Sequence, residues 1–454
     1  MANANLLGMP LELLVHIIAT YLPTQDLGAL RLTCKELDKS LFDTFAKEFF
    51  TKKQFMVSSH SLGTLIEISE HPVFSTYLNH VIIGLDNYQS LYHIPNQPDQ
   101  IQAFRDGCAD QLNLQRSGRG RDMLAQAFRN LPNLKTLGIR DYDAMGRLRD
   151  GTRWRSYGVS TIRRQTGLTL GTYHGGSASD YVSEIYSVLL RALSDARKTI
   201  PSIEVILRHT SYGMTDSTFY VSPEDTALQA VLEDLQTLLL TVSLSHRNGS
   251  TFPIDYDSNE APNMPPLLIK HLSYTKNLKH LRVNFAGHDI RGIKWLMKSL
   301  ATTSDILPNL ERLEFGKMEL DPTLLADLIP RFSTSLKHLT LWDIELGYQY
   351  AKHWFDSEDR YHPWPPLLRA ISKMPKLESL MVGRISHAAN GRNSMSIGLE
   401  GNKPSQECKG DMKVEIPKLI AGFQVDWPQP LVIPSDDEND EDEDEDEDED
   451  MDDE

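Results

Sequence analysis

Fifteen histidines, three cysteines and a C-terminal run of acids are the groups in this 454-residue chain with chemistry to offer. A phosphate cradle, an activated nucleophile or a metal centre each needs such residues at a fixed spacing. The segment GTYHGGSAS at 171–179 has glycines and a histidine but lacks the lysine and the spacing of a phosphate loop. Neither a G-x-S-x-G elbow nor an H-E-x-x-H zinc helix occurs. Cys34, Cys108 and Cys408 stand far apart and match no metal or disulfide spacing, which suits a reducing compartment. His280 and His338 recur because they hold the same place in a repeated phrase. The expectation is a protein without catalytic residues, metal or cofactor.

Charge narrows the partners. The net charge is −17, but seventeen of the 63 acids lie in 436–454, leaving 46 acids against 46 bases elsewhere. The body is therefore neutral, and no clustered basic run marks a nucleic-acid surface. The start, MANANLLGMPLE, has no basic n-region, and no 18-residue apolar run follows. No membrane is expected, and the location expected is cytoplasmic or nuclear. Asn248-Gly249-Ser250 fits a glycosylation sequon, and with no secretion expected it is read as an accidental match.

The elements that would position a binding surface begin at Pro10, a good first-turn residue ahead of LELLVHIIATYL. Apolar residues there cover more than one helical face, so this helix needs neighbours on two sides. Pro23 stops it, and Asp26 is placed to cap a second helix in which Leu27, Leu30, Cys34, Leu37 and Leu41 are spaced 3, 4, 3 and 4 apart. Phe42, Phe45, Phe49 and Phe50 carry a third apolar stretch. Three short helices cannot hide this much apolar surface, and the surplus predicts a partner protein.

Met9-Pro10-x-Glu12-Leu13-Leu14, Ile17, Tyr21-Leu22-Pro23, Asp26-Leu27 and Arg31-Leu32-Thr33-Cys34-Lys35 resemble an F-box over residues 6–50. The resemblance implies docking onto the Skp adaptor of a Skp–cullin–F-box ubiquitin ligase, through Met9, Pro10, Leu13, Leu14, Ile17, Leu30, Cys34 and Leu37. Two positions depart from the family pattern. Met9 stands where leucine is usual, and Leu37 where many members have tryptophan.

Beyond residue 51 one phrase returns, Leu-x-x-Leu-x-apolar. It begins at Leu134, Leu278, Leu310, Leu336 and Leu377, with weaker copies at Leu78 and Leu235. Ile203, Val205 and Leu207 alternate as in a further strand. The second leucine and the apolar residue two later point to one face of a short strand. Helical stretches at 290–301, 322–332 and 365–374 close the coils. The body resembles a leucine-rich repeat, without the family's asparagine after the strand and with irregular spacing.

The fold expected is α/β, an α+β solenoid. Its parts are an N-terminal helical F-box (1–50), an irregular leucine-rich-repeat-like horseshoe (51–434) and a disordered acidic tail (435–454). Long loops are expected at 142–180, 245–265 and 386–412, and a last strand or cap within 414–434.

Residues flanking the inward leucines would form a concave target-binding face: Arg140, Arg282, Asn284, Arg312, Glu314, His338, Thr340 and Trp342. Arginine and tryptophan are enriched at interface hot spots. The function expected is substrate recognition for a ubiquitin ligase. Its partners would be the Skp adaptor, cullin through it, and an unidentified target protein. The alternative is a non-ligase scaffold using the repeats for stable protein pairing.

Overall fold

A computed structural model describes residues 6–22, 24–88, 95, 97–142, 144–145, 153–154, 156–172, 178–208, 211–245, 264–287, 289–347, 362–389 and 393–425. Most of the 245–265 segment and all of the acidic tail lie outside the described residues. The chain is mixed α/β, with fifteen α-helices and a 13-stranded, mostly parallel sheet among those residues.

Nine parallel strands follow one another in chain order. They are Lys52–Met56, His80–Gly84, Thr136–Arg140, Ser202–Ile206, Thr237–Val242, His280–Phe285, Arg312–Leu320, His338–Gly347 and Ser379–Gly383. Parallel neighbours require a crossover, and each connection here contains a helix. The repeated phrase sets the register: Leu281 pairs with Leu238 and Leu313, and Leu313 with Leu339. Burial alternates along His280–Phe285, with Leu281, Val283 and Phe285 inward and His280, Arg282 and Asn284 on the opposite face. Inward side chains of all nine strands join those of the crossover helices in one apolar core. The lead-in leucines Leu134, Leu278, Leu310, Leu336 and Leu377 are buried in it.

Both ends of the parallel run are finished differently. At the first edge, the Tyr157 N–H donates to the Gln54 carbonyl at 2.8 Å, beside the Phe55–Tyr157 bridge. At the other end Ser405–Lys409 pairs antiparallel with Ser379–Gly383, and the helix Met412–Ala421 packs beside it. The expected loop at 386–412 is therefore corrected. It contains the strands Ser386–Ala389, Asn393–Gly398 and Ser405–Lys409, stabilised by strand pairing more than by leucine burial. The expected loop at 142–180 is corrected in part, since Val159–Thr166 is a helix and Ala178 begins another. In 414–434 the described part holds the end of the Met412–Ala421 helix and the short strand Gln424–Val425.

Three helices precede the sheet: α1 (Leu11–Tyr21), α2 (Thr24–Arg31) and α3 (Lys35–Phe50). The second apolar stretch is not one helix, as its spacing suggested. Thr33 Oγ1 donates back to the Leu30 carbonyl at 2.7 Å, and Cys34 turns extended. Its sulfur accepts the Leu37 N–H at 3.5 Å and caps α3. Asp26 is no cap either; it sits in the first turn of α2, where a carboxylate still opposes the positive helix end. Arg31 then ties α2 to α3, ion-paired with Asp38 at 2.7 Å and stacked 3.8 Å over the Phe45 ring. At its far end α3 joins the body through Phe50 stacked on Phe74 at 4.0 Å.

Candidate protein-interaction surfaces

Two apolar rows run along α1 about 100° apart, one buried and one open to solvent. Leu14 and Ile18 are 4% and 3% exposed and form a small core with Leu27, Leu37 and Leu41. One residue earlier, Leu13, Ile17 and Tyr21 are 54%, 44% and 71% exposed. Residues four apart stack on one helical face, so these three make a continuous apolar row open to solvent. Leu11 beside them and Leu32 after α2 are exposed as well.

This divides the expected adaptor-binding set. Pro10, Leu13 and Ile17 are open, and Met9, Leu30 and Cys34 are half-buried against the small core. Leu14 and Leu37 are corrected: both are spent on holding the three helices together. Tyr21, Leu11 and Leu32 are exposed apolar residues outside the expected set; for Tyr21 the sequence signal is its place four residues after Ile17.

The second surface is the sheet face away from the helices. The register there sets out three rows, among them His280–Arg312–His338–Ser379, then Arg282–Glu314–Thr340–Met381, then Asn284–Gly316–Trp342–Gly383. All the expected target-binding residues of these strands thus share one face. The glycines in the third row make room. A Cβ on Gly383 would lie 2.5 Å from the Trp342 ring, and one on Gly316 would collide with Asn284 Oδ1.

Glu314 is the electrostatic centre of this face. It accepts from His280 Nε2 at 2.9 Å and Arg312 Nε at 2.6 Å, with Arg282 Nη1 at 4.0 Å. Burial alone pushes its carboxyl up, but the His280 hydrogen bond and the His280 and Arg312 charges outweigh that and hold it at about 2. A carboxyl with a depressed folded value adds stability above its ordinary range near 4.5, which is lost as pH falls toward 2. Urea midpoints of wild type and Glu314→Gln should therefore differ most at pH 6 and converge below about pH 4.5. A gap that widens on acidification would contradict the ion-pair arrangement.

Arg140 stands apart from the other expected target-binding residues. Like Glu314 and Thr340 it is almost fully buried, but its Nη2 lies 3.5 Å from Glu204 Oε2 and its guanidinium 5.5 Å from the Tyr142 ring. It lies apart from the Glu314 cluster, on a strand separated from His280–Phe285 by two others. Nearby, this face is not open throughout, because Val159 and Ile162 cover Met56 in a second small cluster.

Among the described residues no group of three or more His, Cys, Asp or Glu is placed to hold a metal ion. Within the same residues no helix is long and apolar enough to cross a membrane. A groove of about 790 Å³ follows the turns before the strands, past Pro201, Asn277, Asn309, Glu311 and Lys337, with mixed charge and no converging set of reactive groups.

No family model and no curated protein matches the chain. Among solved structures, it is similar to the yeast complex of Rad7 and Elc1, at 12% identity and a TM-score of 0.23. That likeness covers 81% of this chain and 85% of the other. At that score it fixes neither the fold nor a partner.

Proposed function

We propose that this chain is a substrate-recognition subunit of a Skp–cullin–F-box ubiquitin ligase. The observation that carries the reading is the open row Leu13, Ile17 and Tyr21 on α1, within a segment whose residue pattern resembles an F-box. A small helical module that has filled its own core with Leu14, Ile18, Leu27, Leu37 and Leu41 still leaves this row wet. A row of that kind marks a protein-docking site. Residues 1–50 would be the adaptor-binding unit, with Met9, Pro10, Leu13 and Ile17 in contact and Leu30 and Cys34 at the margin.

Residues 51–434 would carry the target. Strand order equal to chain order supports reading them as a stack of leucine-rich units. Arg282, Asn284, Arg312, His338 and Trp342 would meet the target, with Glu314 holding the basic side chains in place. The chain would do no bond chemistry itself. Its contribution is effective concentration, since tethering target and ubiquitin-loaded enzyme in one assembly makes their encounter intramolecular.

Affinity capture of the full chain from cells, read by mass spectrometry, tests the assignment. Recovery of cullin together with the adaptor is expected, and a target should accumulate when the gene is removed. Adaptor without cullin would favour a scaffold that pairs stably with its partner outside any ligase.

A further inference from the structure

On the first four strands the outward sheet face gathers basic side chains that the proposed target contacts leave out. Lys52 and His80 are register partners. His80 Nε2 lies 3.8 Å and Arg140 Nη2 3.5 Å from the same carboxylate oxygen, Glu204 Oε2. One carboxylate thus serves three basic side chains. The surplus shows in their acidity. Burial and then the Arg140 charge lower Lys52, while Glu204 only partly offsets them. Burial, Lys52 and Arg140 together hold His80 at about 3.

The hydrogen bonding is also incomplete. Arg140 is nine-tenths buried, yet its Nε has no hydrogen-bond partner, and neither does His80 Nε2. A buried donor of this kind ordinarily finds one. Arg208 extends the group outward, exposed and stacked 3.9 Å over the Tyr142 ring that Arg140 also approaches. Two register partners here are glycines, Gly84 opposite Arg140 and Gly138 opposite Glu204; the space over Gly84 is taken by Ser156 and the Asp86 carboxylate, and that over Gly138 by Ile82 and His80.

We propose that Lys52, Arg140 and Arg208, with the neutral His80 ring beside them, form an anion-binding site for an acidic peptide segment, and that its occupant is the chain's own segment 436–454. Charge complementarity selects that occupant, because 436–454 holds seventeen acids while the remainder of the chain is neutral. Reach permits it. The Gln424–Val425 strand is nine strand positions from His80–Gly84, roughly 43 Å at about 4.8 Å each. Twenty extended residues span up to about 70 Å, so the middle of the acidic run can arrive at the cations. Occupation in cis would make this face available only to partners that displace the segment. The proposal is independent of the ligase reading, because no adaptor takes part.

The test uses a synthetic peptide of residues 436–454 and fluorescence anisotropy at low salt, with the full chain and a chain ending at Pro434. A tether supplies an effective concentration in the millimolar range. The shortened chain should therefore bind the peptide at least ~10-fold more tightly than the full chain. Binding should weaken from 50 to 200 mM salt as the charges are screened. Arg140 is buried and its replacement risks misfolding, so Lys52→Gln with Arg208→Gln is the variant to use, and it should cost the shortened chain a further ~10-fold. Three outcomes would each overturn the proposal: equal binding by the two chains, no binding by the shortened one, or undiminished binding by the folded double variant.

Discussion

Leu339→Ala should lower the free energy of unfolding by about 2–5 kcal/mol, the range for deleting a buried leucine side chain. Leu339 is 1% exposed, sits between Leu313 and Leu380 in register, and belongs to the main core. Its replacement leaves a cavity that the flanking strands cannot close without breaking their own pairing. Three residues on, Trp342 stands on the other face, half-buried against Gly383. Trp342→Ala should cost only about 1–2 kcal/mol, from partial burial, and should weaken target capture more than it weakens the fold. Denaturant midpoints for the two variants, with the slope held common, decide the order. A larger loss for Trp342→Ala would show that the assigned faces are reversed.

The second large effect falls on α1. Leu13→Ala combined with Ile17→Ala removes two neighbouring members of the exposed row and touches nothing in the small core. Interface anchors commonly contribute 2 kcal/mol or more each, and every 1.4 kcal/mol is tenfold in affinity. Adaptor affinity should fall at least ~30-fold while the unfolding midpoint stays within experimental scatter. Leu14→Ala, one residue away, should behave in the opposite manner. It hollows the core of the three helices, so stability falls first and adaptor binding follows only as a consequence.

The contrast between Leu13 and Leu14 also shows what a sequence can carry. The pattern of α1 announces two apolar rows, but which one the molecule buries depends on where Leu27, Leu37 and Leu41 come to lie. That is settled by tertiary packing. The leucine phrase was more readable, because alternating residues such as Leu281 and Val283 mark a strand face whatever surrounds it. Lys52–Met56 lacks that phrase, although its Phe55 enters the core as a strand leucine would.

The strands within 386–412 were hidden for a different reason. Ser386–Ala389 and Ser405–Lys409 are rich in small and polar residues, and their burial comes from backbone pairing, which leaves little trace in hydrophobicity. The 3, 4, 3, 4 spacing likewise ran straight across Cys34, where a local cap divides α2 from α3. Of the basic side chains around Glu204, Arg140 follows a leucine phrase and His80 lies within the weaker copy at Leu78, while Lys52 belongs to none. Lys52 and His80 join it through pairings between strands that lie far apart in the chain, beyond the range of any local pattern.

The central claim, that α1 presents a docking face for the Skp adaptor, is tested most directly by calorimetric titration of the purified full chain with purified adaptor. The account predicts saturable one-to-one binding by the wild type. It also predicts at least ~30-fold weaker binding by the Leu13→Ala, Ile17→Ala chain, with both proteins equally stable. No heat of binding from the wild type, or the same affinity from both chains, would contradict it.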